Sequence, residues 1–133
     1  MQFPGQKAFS ALIATQAAHS FEECYFELWR VYPPARELAG IFGSSLSISF
    51  AVLNAVLVTL MVVSLVAFNQ RGRFVIPLAI LWLVVELING TNHIAQWYLT
   101  GSYFPGVYTA PLLLLFACIT GIHVYRQTRA AGA

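Results

Sequence analysis

The 133-residue chain is poor in charge, and it contains no aspartate at all. Charged residues make up 9% of the sequence, whereas about 25% is ordinary for a soluble domain. Hydrophobic residues reach 59%. A soluble protein needs more polar surface than this composition supplies. The composition therefore excludes an ordinary soluble domain and predicts an integral membrane protein.

Clustered basic residues and closely spaced cysteines are missing as well. The net charge is only +2, and no basic patch with interleaved aromatic residues occurs, which excludes a nucleic-acid partner. Cys24 and Cys118 lie in two separate apolar segments. Cysteines in such segments usually behave as small buried hydrophobes, so we expect two free thiols rather than a disulfide.

Long apolar runs are what the sequence does contain. They predict four membrane-spanning helices, over about residues 9–29, 47–68, 74–99 and 107–125. A short helix at the membrane surface is expected over residues 35–42. Four antiparallel neighbours joined by short loops predict an all-α, four-transmembrane-helix antiparallel bundle. We expect this bundle to form a single membrane domain over residues 1–133.

The basic residues predict the orientation of this bundle. Four spans place both termini on one side of the membrane, and five of the seven basic residues fall on that side. The positive-inside rule makes this side cytoplasmic. We therefore expect a multi-pass protein of the cytoplasmic (inner) membrane with both termini in the cytoplasm. The five residues are Lys7, Arg71, Arg73, Arg126 and Arg129.

Ionisable side chains nevertheless occur inside the first apolar segment. His19, Glu22 and Glu23 share one face of the predicted helix, because residues three and four apart are neighbours on a helix. The predicted boundaries place all three in mid-span. An ionisable group near the bilayer centre costs roughly 2.5–3.5 kcal/mol on insertion scales. Side chains of this kind are expected to face the protein interior and to act there.

The third helix repeats the pattern. Glu86, Asn89 and His93 follow one another at spacings that also define one face. At about 1.5 Å per residue from the predicted helix starts, Glu86 and Asn89 reach the same depth as Glu22 and Glu23. The two polar faces are therefore predicted to meet in one buried site.

Further residues are expected to surround this site or to contact a substrate there. Tryptophans could shield a positive charge through cation–π contact, together with Phe21 on the first helix. The surrounding set is Asn54 on the second helix and Asn89, Asn92, Trp82 and Trp97 on the third. His123 lies near the end of the fourth helix and is expected to stand apart.

An alternative is that these polar side chains only join helices through hydrogen bonds. Several carboxyl groups in one apolar bundle repel each other, however, unless they are protonated or bridged by a cation. Simple helix association does not require such an arrangement. The accumulation of carboxyl and imidazole groups thus favours a functional site.

Three short motifs follow one another along the chain. They are H-x-x-E-E at residues 19–23, N-x-x-x-H at residues 89–93, and a Pro-Gly turn that opens the last helix at residues 103–110. Together they resemble the HXXEE-domain family of small multi-span membrane proteins, over about residues 8–123. The resemblance implies a helical membrane protein with a polar His/Glu centre, and it implies no particular reaction. The residues that match are His19, Glu22, Glu23, Asn89 and His93.

The leading functional hypothesis is a membrane-embedded, metal-dependent hydrolase. Its substrate would be a lipid- or isoprenoid-like molecule that reaches the site sideways from the membrane lipid. Zinc, iron or manganese would bind to imidazole and carboxylate groups and would activate water. The expected metal ligands are His19, Glu22, Glu23, Glu86 and His93.

Two other functions remain open at this point. A metal-free isomerase or cyclase would use Glu22 or Glu23 as proton donor and Glu86 or His93 as proton acceptor. These four residues are the expected catalytic groups in either enzyme. A non-enzymatic unit for binding or transporting protons, ions or small molecules is the third hypothesis, and it would require the protomers to form homo-oligomers.

Overall fold

The structure, a computed structural model, describes residues 5–43, 45–69 and 75–131. These residues form six α-helices and no strand, which confirms the all-α prediction. The basic turn with Arg71 and Arg73 lies outside the described residues. The helices are α1 (Gln6–Tyr25), α2 (Leu28–Val31), α3 (Pro33–Gly40), α4 (Leu46–Asn69), α5 (Val75–Thr100) and α6 (Ala110–Ala131).

Three of the described helices, not four, are long and apolar enough to cross a membrane. They are α4, α5 and α6, so the prediction of four spans is wrong in number. The predicted first span, α1, carries Lys7 and a polar face, and it is far less apolar than α4. That polar face is buried against the other helices rather than against lipid. A helix that packs on protein needs fewer apolar side chains than one that faces lipid.

The first helix also ends earlier than predicted. It stops at Tyr25, because Glu27 adopts a left-handed backbone conformation with φ 53°, which is uncommon for residues other than glycine. The short helix α2 follows, and it buries Leu28 and Trp29 in a small apolar cluster with Phe50 of α4. The free energy gained by burying these two side chains exceeds what continuation of α1 would contribute. The H-x-x-E-E motif consequently lies in the last two turns of α1, not in mid-span.

Two other predicted elements are shifted by a few residues. The surface helix expected over residues 35–42 is α3, which begins at Pro33. Proline is favourable in the first turn of a helix, where its missing N–H has no partner to lose. The last helix begins at Ala110 instead of residue 107, because the residues before it form turns.

The helices pack so that the chain begins and ends at the same end of the bundle. Phe9, near the start of α1, contacts Phe68 at the end of α4 with ring centroids 4.8 Å apart. The same apolar cluster contains Val75 at the start of α5 and Val124 in the last turns of α6. Apolar side chains therefore fill the half of the bundle that contains the termini. The other half, where α1 and α5 end and α6 begins, remains for polar groups.

Glycine brings α5 and α6 close together beside this polar half. An ideal Cβ on Gly90 would lie 2.9 Å from Cγ of Leu114 and 3.2 Å from the backbone oxygen of Ala110. Real Cβ atoms do not come this close to their neighbours without a shift. The two helices are thus packed at a distance that only glycine permits.

We expect Gly90→Ala to lower the free energy of unfolding by about 1–3 kcal/mol, because the added methyl group overpacks the contact between α5 and α6. Thermal unfolding in detergent measures the change. Gly40→Ala is the matched control, since a Cβ at Gly40 meets nothing within 4 Å. Equal stability of the two variants would contradict the close approach.

Candidate metal centre

Two histidines and one glutamate from different helices converge at the polar end of the bundle. His19 and Glu23 lie in the last turns of α1, and His93 lies on α5. The three side chains are buried, and their candidate ligand atoms all lie within 4.8 Å of one another. Nε2 of His93 is 3.0 Å from Oε1 of Glu23, and Nε2 of His19 is 3.5 Å from the same oxygen.

These separations fit the ligands of a tetrahedral metal ion. Two ligand atoms that each lie about 2.0–2.1 Å from zinc are about 3.4 Å apart at a tetrahedral angle. The separations of 3.0 and 3.5 Å fall on either side of this value. Three protein ligands leave a fourth position free, as in catalytic rather than structural zinc sites.

The tautomer of His93 is fixed by the loop that precedes α6. Nδ1 of His93 lies 2.6 Å from the backbone oxygen of Pro105. A carbonyl oxygen only accepts hydrogen bonds, so Nδ1 carries the hydrogen and donates it. In the neutral ring, Nε2 then carries a lone pair, and this lone pair is directed toward Glu23.

The tautomer of His19 is fixed through a chain of two hydrogen bonds. The hydroxyl of Thr109 donates to Oε2 of Glu22 at 2.6 Å. Because this hydroxyl has a single hydrogen, it accepts from Nδ1 of His19, which lies 2.7 Å away. His19 therefore also presents a lone pair on Nε2. That atom is buried and has no hydrogen-bond partner among the described residues.

With both imidazole rings neutral, three acceptor atoms meet in one buried place. Two imidazole lone pairs and a carboxylate oxygen lie together, with each Nδ1 hydrogen already used elsewhere. Buried acceptors without a donor are costly. A proton or a metal cation between them removes this cost. Metal-binding histidines commonly donate their second ring N–H to a carbonyl or carboxylate partner in this way.

Glu22, a predicted metal ligand and catalytic residue, lies outside this cluster. Its carboxylate holds the segment that leads into α6, by accepting five hydrogen bonds. Tyr103 Oη, Gly106 N and Tyr108 N donate to Oε1 at 2.8, 3.0 and 3.2 Å, and Thr109 N and Oγ1 donate to Oε2 at 3.0 and 2.6 Å. These turns occupy the residues where the last helix was expected to begin.

The hydroxyl of Tyr103 is a stable donor to Glu22. Burial and the hydrogen bond to the Glu22 carboxylate raise the pKa of Tyr103 above its ordinary value. The phenol accordingly keeps its hydrogen at any physiological pH. Sequence reasoning placed Tyr103 only in the Pro-Gly turn, because nothing in the motif indicates which carboxylate that turn would bind.

Gly106 is a second residue of the site whose role the sequence did not reveal. Its φ of +94° lies in the region that favours glycine, and an ideal Cβ would lie 2.5 Å from Nδ1 of His93 and 2.7 Å from Cε1 of His19. Both imidazole rings therefore rest on the bare backbone of this residue. The Pro-Gly dipeptide was a signal for a turn, but not for contact with two histidines.

Glu86, also predicted as a ligand and catalytic residue, does not join the cluster either. It is fully buried, and neither of its carboxyl oxygens has a hydrogen-bond partner among the described residues. The expected alignment of depths was wrong, since Glu23 meets His93 rather than Glu86. Asn89 instead approaches Gln16 of α1, with 3.5 Å between the two amide groups. The predicted helix starts did not mark a common level, because α1 begins and ends earlier than expected.

A cavity of about 580 Å³ adjoins the cluster and reaches Glu23 and His93. Most of its wall is apolar and comes from α3, α4 and α5. The predicted substrate contacts Asn54, Asn89 and Asn92 all line it. Asn92 accepts a hydrogen bond from the hydroxyl of Tyr32 at 3.4 Å.

The aromatic residues expected to shield a positive charge lie elsewhere. Trp97 and Phe21 are 48% and 69% exposed, so they face outward. Trp82 is buried, but it belongs to the apolar core and donates its indole hydrogen to Ser64 at 2.9 Å. None of the three is among the described residues that line the cavity. Both cysteines are free, as predicted.

We expect Gly106→Ala to destabilise the protein by about 1–3 kcal/mol beyond the cost of backbone strain, because its Cβ displaces both imidazole rings. Gly101→Ala is the matched control: Gly101 also has a positive φ, +63°, but its Cβ would meet nothing within 4 Å. Thermal unfolding in detergent compares the two. A loss no larger for Gly106→Ala than for Gly101→Ala would contradict the packing of the rings on this glycine.

Comparison with known proteins identifies a family for this arrangement. A family described as proteins of unknown function with an HXXEE motif matches residues 10–120. No curated protein and no solved structure gives a significant match. The matched region contains both histidines and both adjacent glutamates of the site, as well as the turn that holds them. The resemblance drawn from the three motifs is therefore confirmed, and the chain belongs to the HXXEE-motif family.

Proposed function

We propose that this protein is a membrane-embedded, metal-dependent hydrolase whose metal ion is bound by His19, Glu23 and His93. One observation carries the proposal: Nε2 of His19, Nε2 of His93 and a carboxylate oxygen of Glu23 converge in a buried place, while Nδ1 of each histidine is hydrogen-bonded elsewhere. Zinc, iron and manganese are all compatible with two imidazoles and one carboxylate. The site differs from the expected five-ligand set by the loss of Glu22 and Glu86.

The open fourth position and the adjoining cavity support hydrolysis rather than a structural role. A metal held by three protein ligands keeps a coordinated water, and it can lower the pKa of that water to around 7 in favourable cases. The cavity that Glu23 and His93 line continues between apolar walls, so the substrate would be lipid- or isoprenoid-like. Asn54 and Asn92 on its wall are placed to orient a polar group of such a molecule.

The metal-free isomerase or cyclase has less support. Of its two expected proton donors, Glu22 is surrounded by five hydrogen-bond donors and accepts from all of them, which leaves only Glu23. The tryptophans expected to shield a cationic intermediate lie away from the cavity. The transport hypothesis, with its homo-oligomer, stays a prediction.

We further propose a location in the cytoplasmic membrane with both termini in the cytoplasm. The three long apolar helices support insertion into a membrane. α1 begins and α6 ends at the same end of the bundle, so α1 would cross the membrane beside the three apolar helices and both termini would share one side. Lys7, Arg126 and Arg129 are found at that end. The positive-inside rule places this end in the cytoplasm.

Purified protein is expected to contain about one equivalent of divalent metal, and metal-loaded protein in nanodiscs is expected to hydrolyse p-nitrophenyl palmitate. We expect His93→Ala and Glu23→Gln each to weaken metal binding by at least about 100-fold, since loss of a ligand exceeds the 10–100-fold effect of an outer partner. Elemental analysis and chelator competition measure binding, and release of p-nitrophenol measures hydrolysis.

The third histidine provides the control for these variants. His123 lies on α6 and is not part of the cluster, so His123→Ala should keep the metal content and the activity of the parent. The proposal would be overturned if the parent protein bound no metal after it had been loaded with zinc, iron and manganese in turn. So would equal metal content in the His93→Ala and His123→Ala variants.

The hydroxyl of Thr109 is expected to raise the metal affinity of the site, because it accepts the Nδ1 hydrogen of His19. Thr109→Val removes the acceptor for the Nδ1 hydrogen of His19 while keeping the side-chain shape, and we expect a 10–100-fold loss of metal affinity. Thr109→Ser restores a hydroxyl and should recover most of this loss. Chelator competition provides the affinities. If Val and Ser variants bind metal equally well, the chain from Glu22 through Thr109 to His19 does not tune the site.

A further inference from the structure

The cavity beside the candidate metal centre limits the kind of molecule that can bind there. We propose that it binds a neutral amphiphile with a single long apolar chain and a carbonyl-containing head, which enters sideways from the membrane between α4 and α5. This inference rests on the proposed hydrolase only where it makes the acyl C–O or C–N bond beside this carbonyl the bond that water cleaves. Binding itself requires no metal.

The apolar part of the cavity has the size and position for one chain. A water molecule, which has one non-hydrogen atom, takes up about 30 Å³ of liquid volume. By this measure the cavity volume of about 580 Å³ holds about 20 non-hydrogen atoms. The cavity therefore holds one chain, and any second chain would remain outside it. Leu53 and Leu57 of α4 and Val85 of α5 line the wall, and all three are half-buried.

The cavity opens toward the surface that would face lipid. Ile88 lines it and is 66% exposed, so it lies at the rim between α4 and α5. These two helices follow each other in the chain, yet α5 packs mainly on α6 and α4 mainly on α1 and α3. The gap between them gives an apolar molecule a route that does not pass through water.

The polar part of the cavity carries amides and a phenol rather than cations. Asn54 and Asn92 lie near Glu23 and His93, and no lysine or arginine is among the described residues of the wall. Asn54 donates to the backbone oxygen of Phe50 at 3.2 Å, and Asn92 accepts from Tyr32. The other amide atoms, Oδ1 of Asn54 and Nδ2 of Asn92, take no part in these two hydrogen bonds. One acceptor and one donor are therefore available to a ligand.

Arg30 and Arg36 belong to α2 and α3, but neither lines the cavity. Arg36 donates to the backbone oxygens of Trp29 and Arg30 at 3.1 and 3.0 Å, and Arg30 pairs with Glu27 at 2.7 Å. Phosphate recognition generally uses arginine, lysine or a cluster of backbone N–H groups. The Gly106–Thr109 N–H groups, the described cluster of this kind beside the site, are occupied by Glu22. A neutral head such as an ester or amide fits the cavity, and a phosphate head does not.

Photolabelling of the metal-free protein in nanodiscs tests this inference separately from the hydrolase. The probe is a 16-carbon fatty amide with a diazirine in the middle of its chain. We expect adducts in the peptides that contain Leu53, Leu57 and Val85. Excess monopalmitoyl glycerol should reduce labelling about tenfold, whereas palmitoyl lysophosphatidate at the same concentration should leave it unchanged.

Two neighbouring residues provide matched variants. Val85→Trp fills the cavity and should reduce labelling at least about fivefold, whereas Val84→Trp, on the outward face of α5 and 47% exposed, should not. Leu57→Trp repeats the test from α4 if Val85→Trp is misfolded, as judged by thermal unfolding. Asn92→Leu should weaken competition by monopalmitoyl glycerol about 3–10-fold, the range of one lost hydrogen bond.

The outcomes separate the two proposals. Labelling spread evenly over lipid-facing peptides, and insensitive to both tryptophan variants in the cavity, would overturn the binding site even if the metal centre hydrolyses esters. Competition by lysophosphatidate equal to that by monopalmitoyl glycerol would overturn the neutral head. Specific, competed labelling in a protein that binds no metal would support this inference and contradict only the hydrolase.

Discussion

The five hydrogen bonds that converge on Glu22 position the rest of the candidate site. This carboxylate ties the end of α1 to the start of α6, and the segment it holds contains Pro105, Gly106 and Thr109. Pro105 and Thr109 each take the Nδ1 hydrogen of one histidine, and Gly106 leaves room for both rings. A residue that touches no ligand atom of the cluster thus fixes the direction of two of the three lone pairs.

The positions of these side chains on α1 explain the spacing of the H-x-x-E-E motif. His19 and Glu23 are four residues apart and lie on one ridge of α1, so both side chains point into the cluster. Glu22, three residues from His19, lies about 100° around the helix from Glu23 and faces α6 instead. The two adjacent glutamates therefore have different roles. Glu23 lies among the candidate ligands, and Glu22 orients the histidines through the segment that it binds.

The sequence predicted the parts of the fold that depend on apolar runs and helical spacing. α4, α5 and α6 follow from runs long enough to span a bilayer. His19, Glu23 and His93 were selected because ionisable groups are rare in this chain and because those of each helix share one face. The end of α1 could not be predicted, because it depends on the burial of Trp29 against α4 and on the left-handed backbone at Glu27. These are tertiary effects that no local pattern contains.

The separation of Glu22 from Glu23 was beyond the sequence for a different reason. Residues three and four positions from His19 both qualify as its neighbours, and only the packing partners decide which one faces inward. The same limit applies to Glu86, whose spacing from His93 is correct for one face. The position of Glu86 along the bundle axis depends on the axial offset between α5 and α1, and the sequence of neither helix determines that offset.

The depth of the cluster reconciles buried acids with an apolar bundle. His93 lies seven residues before the end of α5, or about 10 Å along the helix axis at 1.5 Å per residue. The cluster therefore lies nearer to one end of the bundle than to its middle. The outward-facing aromatics Trp97, Tyr98 and Tyr108 lie close to that end, as expected for side chains at a membrane interface. At such a depth an ionisable group costs less than at the bilayer centre. A membrane amphiphile also holds the bond between its head and its chain near this depth. Under the proposed function, the metal and the carbonyl of the substrate would therefore meet without drawing the head into the hydrocarbon core.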